Sequence, residues 1–114
     1  MTLDNGSTQV SAAAAIAAAP ADAWLLDVRE RDEWAQGHVP TAHLIPMSEL
    51  EGRVAEVPLE DVIHVICHSG SRSDSVARWL RAGGRDAVNV EGGMMAWMSA
   101  GGVVVVDGAD SASA

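Results

Sequence analysis

The most constraining feature of this sequence is an apolar run that leads directly into a helical pattern. Val62–Ile66 is broken only by one histidine, and it ends at the single cysteine of the chain, Cys67. A short polar segment follows, and then Asp74–Ala82 has the pattern of an amphipathic helix, closed by Gly83 and Gly84. Continuous apolar strands are typical of a sheet that is buried on both faces. This segment therefore predicts a strand–loop–helix unit of an α/β fold.

The same alternation of short apolar runs and helical patterns extends over most of the 114 residues. The predicted strands are Trp24–Val28, His43–Ile45, Val62–Ile66, Ala87–Val90 and Val103–Val106. The predicted helices are Glu30–Gln36, Glu49–Ala55 with Ser48 as its cap, Asp74–Ala82 and Met94–Ala100. Strands that alternate with helices pair in parallel, with crossover helices on both faces. We expect one three-layer α/β domain over residues 9–106, with a central, mostly parallel, five-stranded sheet and disordered ends at 1–8 and 107–114.

Composition excludes several classes of function. The formal net charge is −9 and the chain has no lysine, so no basic surface is available for a nucleic-acid partner. No apolar stretch is long enough to span a membrane. The alanine-rich run "SAAAAIAAAPADA" predicts a packed helix rather than a signal peptide, because the segment before it carries Asp4 and no cation. A single cysteine cannot form a disulfide within the chain, which fits a cytoplasmic location.

Cys67 stands where ligands bind in such folds, at the carboxyl end of a strand. The following residues up to Ser71 are small or polar, and this segment can curl so that its N–H groups face an anion. The start of the next helix adds further unpaired N–H groups and partial positive charge. Such a setting lowers the pKa of a thiol, so we interpret Cys67 as a nucleophile beside an anion site. The alternative is a buried structural cysteine, the commoner role of a lone thiol.

Three segments carry a resemblance to a known family. They are "LLDVRERDEWAQGHVPTAHLIP", "ICHSGSRS" and "VNVEGGMMAW". In this order and spacing they resemble, respectively, the first signature sequence, the active-site loop and the C-terminal signature sequence of single-domain rhodaneses, which are sulfurtransferases. Two positions depart from the family pattern: Thr41 replaces a glycine, and Arg85 replaces an aromatic residue before the fourth strand.

The resemblance implies a rhodanese-like fold and a double-displacement mechanism that needs no metal or organic cofactor. The Cys67 thiolate takes the outer sulfur of a small anionic donor such as thiosulfate, becomes a persulfide, and passes the sulfur to cyanide, a thiol or an acceptor protein. Arg72 is expected to bind the sulfonate end of the donor, because a guanidinium group suits an oxyanion. The other expected substrate-binding residues are His68, Ser69, Gly70, Ser71 and Ser73. Asp27 and Arg29 are expected to flank the site and hold loops together.

Other interpretations remain open at this point. Cysteine-dependent phosphatases and arsenate reductases share the architecture, but in them the arginine follows the cysteine by six positions, where this chain has Ser73. A regulatory binding module is disfavoured because inactive relatives generally lack the cysteine. A persulfide carrier that serves one partner would have the same site chemistry. A zinc site at His64, Cys67 and His68 is rejected, because neighbouring strand residues point to opposite faces.

Overall fold

The computed structural model describes residues 8–19 and 21–106. The expected disordered ends lie outside these ranges, apart from Thr8. The chain forms one parallel sheet of five strands in the order β1-β5-β4-β2-β3. This confirms the predicted α/β class. The strands are β1 Gln9–Val10, β2 Trp24–Asp27, β3 His43–Leu44, β4 Val62–Ile66 and β5 Asp86–Val90.

Helices cover both faces of the sheet, as two separate apolar clusters show. Leu26 and Val65 pack with Val76 and Leu80 on one face, and Leu25 and Ile66 pack with helical residues on the other. Successive residues of a strand point to opposite faces, so each buried strand serves both clusters. The helices are α1 Ala12–Ala18, α2 Arg31–Gln36, α3 Leu50–Arg53, α4 Ser71–Ala82 and α5 Gly93–Ser99.

The alanine-rich segment forms α1, as predicted. Ser11 caps it by accepting a hydrogen bond from the N–H of Ala14 at 3.1 Å, and Ala12 and Ala15 are buried against the sheet. Within residues 8–19 and 21–106, no helix combines the length and apolarity that a bilayer crossing requires.

The fifth strand was assigned wrongly from the sequence. It is β1, Gln9–Val10, which pairs with β5, and Val103–Val106 is outside the sheet. Val105 instead forms a single antiparallel bridge with His38, with N···O distances of 2.9 and 2.8 Å. A two-residue strand is too short to show any periodicity, whereas four valines suggest a strand through β propensity alone.

The bounds of two helices also differ from the prediction by more than one residue. Ser48 does not cap a helix: it lies in a 3₁₀ turn, Met47–Glu49, and its hydroxyl donates to Glu30 at 2.9 Å. The helix predicted at Glu49–Ala55 is shorter in the structure: α3 covers only Leu50–Arg53, and a second 3₁₀ turn, Val54–Glu56, follows it. The helix after Cys67 starts at Ser71, three residues early, because Gly70 at φ 106° turns the chain directly into α4.

The unusual Arg85 has a structural role. Its guanidinium donates to the carbonyls of Val54 and Val57, each at 3.1 Å, so it ties the start of β5 to the segment after α3. This explains how a charged side chain is accommodated at that position.

Candidate active site

Cys67 lies at the carboxyl end of β4, the central strand of the sheet. Residues 68–70 form the connection to α4, and the side chain of Cys67 is buried, with 1% of its surface exposed. In the sheet β4 lies between β2 and β5, and groups from these strands and from the helices that follow them approach the loop. The site predicted from the sequence is therefore at the expected edge of the sheet.

Three groups donate hydrogen bonds to the Cys67 sulfur, and together they are called the sulfur cradle here. They are the N–H of Gly70 at 3.2 Å, the N–H of Ser73 at 3.3 Å and the hydroxyl of Ser73 at 3.2 Å. The two N–H groups come from the start of α4, which is also the positive end of the helix dipole. This arrangement stabilises negative charge on sulfur.

The pKa of Cys67 reflects two opposed effects. Burial raises it, because a thiolate loses solvation, but the hydrogen bonds from Ser73 and Gly70, with a smaller contribution from the backbone N–H of Ser69, lower it and outweigh burial. The net pKa is lowered from the ordinary thiol value. A larger fraction of Cys67 is therefore thiolate, the nucleophilic form, near neutral pH than in an isolated cysteine.

Replacing Ser73 with alanine tests the hydroxyl of the sulfur cradle. Ser73→Ala should raise the pKa of Cys67 and slow its alkylation by iodoacetamide at pH 7 on the order of tenfold, since one charge-assisted hydrogen bond is lost. The measurement is the alkylation rate between pH 5 and 10. The control is Ser75→Ala, an exposed position of the same helix. An unchanged pH profile in Ser73→Ala would show that the hydroxyl does not act on the thiolate.

A polar chain behind Ser73 was missed from the sequence. The Ser73 hydroxyl lies 2.5 Å from Oδ1 of Asn89, whose amide donates to Gln9 at 2.9 Å. The amide of Gln9 in turn donates to Asp74 at 2.8 Å. Because the Ser73 hydroxyl has one proton, Asn89 and the Cys67 sulfur compete for it. The sequence signal was the polar Asn89 inside the predicted strand Ala87–Val90, which is otherwise apolar.

Arg72 is not a free cation. Its guanidinium makes a two-bond ion pair with Glu33 of α2, with both N···O distances at 2.8 Å. The pair raises the pKa of Arg72 and lowers that of Glu33 to about 2. Glu33 was not predicted as part of the site, and its partner lies 39 positions away. The anion-binding role of Arg72 stays a prediction that now requires the donor to compete with Glu33.

Asp27 is the last residue of β2, the strand beside β4, Arg29 follows it by two positions, and both side chains are buried. Arg29 pairs with the carboxylate of Asp27 at 2.8 Å and donates to the carbonyl of Gly37 at 2.8 Å and of Glu33 at 3.3 Å. The guanidinium therefore joins the end of β2 to the middle of α2 and to the residue that follows α2. These contacts support the expected role of holding loops together.

The backbone of the Cys67 loop is fixed from α5. The N–H groups of Met94 and Met95 donate to the carbonyls of Cys67 and His68 at 2.8 and 3.2 Å. Gly93 makes this approach possible: a Cβ there would lie 2.3 Å from the carbonyl oxygen of Cys67 and 2.6 Å from His68. This explains the second glycine of "EGG" in the third segment in physical terms.

Two openings flank the loop. One is a cavity of about 320 Å³ with both polar and apolar walls; the other is a wide, shallow depression beside Ser69, Gly70 and Ser71. The side chains of His68, Ser69 and Ser71 are exposed at the rim, and the hydrogen bonds to the sulfur come from Gly70 and Ser73 instead. The cavity of about 320 Å³ is lined by Arg29, Glu33, Gln36, His68, Met94 and Met98, among others.

A metal site is not evident near the loop or elsewhere in the part of the chain that the structure describes. Among the described residues, no cluster of three or more His, Cys, Asp or Glu side chains is placed to hold a metal.

Comparison with known proteins agrees with this architecture. A solved structure of a rhodanese-related protein from Thermoplasma volcanium is 32% identical, with a TM-score of 0.82, and the match covers 86% of this chain and 97% of that one. A Bacillus subtilis protein that carries the provisional name sulfurtransferase YtwF is 42% identical over 74 residues, 65% of this chain and 72% of that protein. Another, provisionally named sulfur carrier protein YrkF, is also 42% identical, but the match spans only 40% of its length.

The match to the family is not confined to the cysteine loop. The model of the rhodanese-like domain matches residues 8–100, from β1 to the end of α5. This chain therefore belongs to the rhodanese-like domain family.

Proposed function

We propose that this protein is a sulfurtransferase that carries sulfur as a persulfide on Cys67. The observation that supports this most strongly is the sulfur cradle, in which three donors converge on a buried thiol of lowered pKa. The names of its relatives YtwF and YrkF point to the same chemistry.

The reaction has two steps, each with a sulfur leaving group. In the first, the Cys67 thiolate attacks the outer sulfur of a donor such as thiosulfate; the new S–S bond forms as the old one breaks, and the electron pair leaves with sulfite. In the second, cyanide or a thiol attacks the outer sulfur of the Cys67 persulfide, and the cysteine thiolate is regenerated. Neither step needs an oxidant, a metal or an organic cofactor.

The sulfur cradle has a clear role in both steps. It stabilises the attacking thiolate before the first step and the departing thiolate in the second, with donors that are already oriented. His68, Ser69 and Ser71 lie at the rim, where they would contact donor or acceptor rather than the sulfur of Cys67. Arg72 would bind the oxyanion end of the donor after exchange with Glu33.

A persulfide carrier that serves an acceptor protein is the second candidate, supported by the name of YrkF. The two roles differ in the acceptor, not in the loading step. An enzyme discharges quickly to a small acceptor such as cyanide, whereas a dedicated carrier discharges quickly only to its partner.

Intact-mass measurement tests the proposed function. We expect incubation with thiosulfate, or with the persulfide of a small thiol, to add one sulfur atom to the protein, and reductant to remove it. p-Nitrophenyl phosphate in a parallel reaction tests the phosphatase alternative. Release of phosphate without any sulfur uptake from either donor would contradict the proposal and indicate a cysteine-dependent phosphatase.

A further inference from the structure

The two arginines nearest the Cys67 loop both have their charge matched by a carboxylate. Arg29 is buried against Asp27, and Arg72 is bound by both oxygens of Glu33. Two further carboxylates, Asp74 and Glu91, line the depression on the other side of the loop. The site therefore attracts anions through oriented N–H groups, without an excess of positive side-chain charge.

We propose that Glu33 is a specificity-determining residue: by occupying Arg72, it makes the site favour sulfur donors of low charge over the dianion thiosulfate. This inference rests on the proposed sulfur transfer through Cys67 and adds the substrate class. The preferred donors are thiosulfonate monoanions and persulfides of small, uncharged or cationic thiols.

The position of the ion pair allows it to act on the reacting sulfur. Arg72 is next to Ser73, which supplies two of the three donors of the sulfur cradle. The charge of Cys67 also contributes to the raised pKa of Arg72, after the larger effect of Glu33. Since the pKa of Glu33 is about 2, the carboxylate stays ionised and the pair stays neutral at any pH near neutrality.

The pair is held in place from the α2 side. The Glu33 carboxylate also accepts a hydrogen bond from the N–H of Glu30 at 3.0 Å and so forms a capping box at the start of α2. A donor that needs Arg72 must displace a two-bond partner whose position is already fixed. Glutamine at position 33 can keep the cap and one bond to Arg72 while it removes the negative charge, so Glu33→Gln isolates the electrostatic effect.

The expected effect depends on donor charge. Glu33→Gln should raise kcat/KM for thiosulfate on the order of tenfold, the equivalent of one weak charge-assisted contact. Electrostatic energy is proportional to donor charge, so methanethiosulfonate, with one charge instead of two, should gain only about threefold. In that donor a methyl group replaces one oxygen anion, and methanesulfinate leaves in place of sulfite.

The experiment measures kcat/KM for both donors, with saturating cyanide, in the wild type, Glu33→Gln, Arg72→Gln and the double variant. Arg72→Gln should lose activity on thiosulfate more than on methanethiosulfonate, and the double variant should lie between the single variants. Asp32→Asn is the matched control, since it makes the same change in net charge at an exposed position of α2. It should leave the donor ratio unchanged.

The outcomes separate this inference from the function on which it rests. If every variant loads sulfur but Glu33→Gln leaves the thiosulfate-to-methanethiosulfonate ratio at the wild-type value, Glu33 does not set donor preference and the inference is wrong. If Asp32→Asn shifts the thiosulfate-to-methanethiosulfonate ratio by the same amount as Glu33→Gln, the effect comes from net charge alone and the inference is also wrong. If neither donor adds sulfur to wild-type Cys67, the proposed function itself is wrong.

Discussion

Cys67→Ser should abolish sulfur loading completely while the protein stays folded. Cys67 is the one thiol in the sequence, so no other residue can carry a persulfide. A serine hydroxyl is close in size to the thiol and can accept hydrogen bonds from Gly70 and Ser73. Its far higher pKa leaves it neutral, however, and oxygen cannot form the persulfide that the mechanism requires. The measurement is intact mass after exposure to thiosulfate and to methanethiosulfonate.

Thermal unfolding of the Cys67→Ser variant provides the control. We expect its melting temperature to stay within a few degrees of the wild type, because the substitution is nearly isosteric and the hydrogen-bond donors stay paired. Sulfur transfer from thiosulfate to cyanide by a folded serine variant would contradict the covalent mechanism.

Gly93→Ala should be the most damaging small substitution near the site. The added Cβ would lie 2.3 Å from the carbonyl oxygen of Cys67, and the residue has φ 58°, a left-handed conformation. The clash is with backbone, so either α5 or the Cys67 loop must move. We expect a loss of about 3 kcal/mol or more in the free energy of unfolding, together with a large loss of sulfur transfer.

Gly101→Ala is the matched control for Gly93→Ala. Gly101 also has positive φ, 86°, but a Cβ there meets no atom within 4 Å. Only the conformational cost then applies, about 1–2 kcal/mol, and activity should be retained. Denaturant unfolding and kcat/KM measure both effects. Equal destabilisation of the two variants, with activity intact in both, would show that the contact of Gly93 with the Cys67 loop is unimportant.

The sequence predicted most of the architecture because three strands are short runs of mainly apolar residues. β2, β4 and β5 are each followed by a helix or a turn with clear local signals. β1 has two residues and depends on its pairing with β5 for its existence, so no local pattern could reveal it. Val103–Val106 is strongly apolar, but a single bridge to His38 is the only pairing it makes within the described residues.

At the site, local features were predictable and long-range partners were not. Cys67 and the loop around Gly70 follow from a strand, a short polar segment and a helix start. Glu33 and Asn89 reach the loop only because α2 and β5 fold beside it. Arg72 shows the consequence. The resemblance implied that Arg72 binds the oxyanion end of a donor, whereas the fold supplies Glu33 as its partner. That ion pair also offsets the cost of placing a cation at a helix start.

A single discharge of the loaded protein tests the Cys67 persulfide most directly. Protein incubated with thiosulfate is separated from donor and sulfite, and its mass is recorded before and after addition of cyanide. We expect one sulfur atom per chain to be present before cyanide and to be lost afterwards, and an equal amount of thiocyanate to appear. Formation of thiocyanate only while donor is present, with no sulfur retained on the isolated protein, would contradict a Cys67 persulfide.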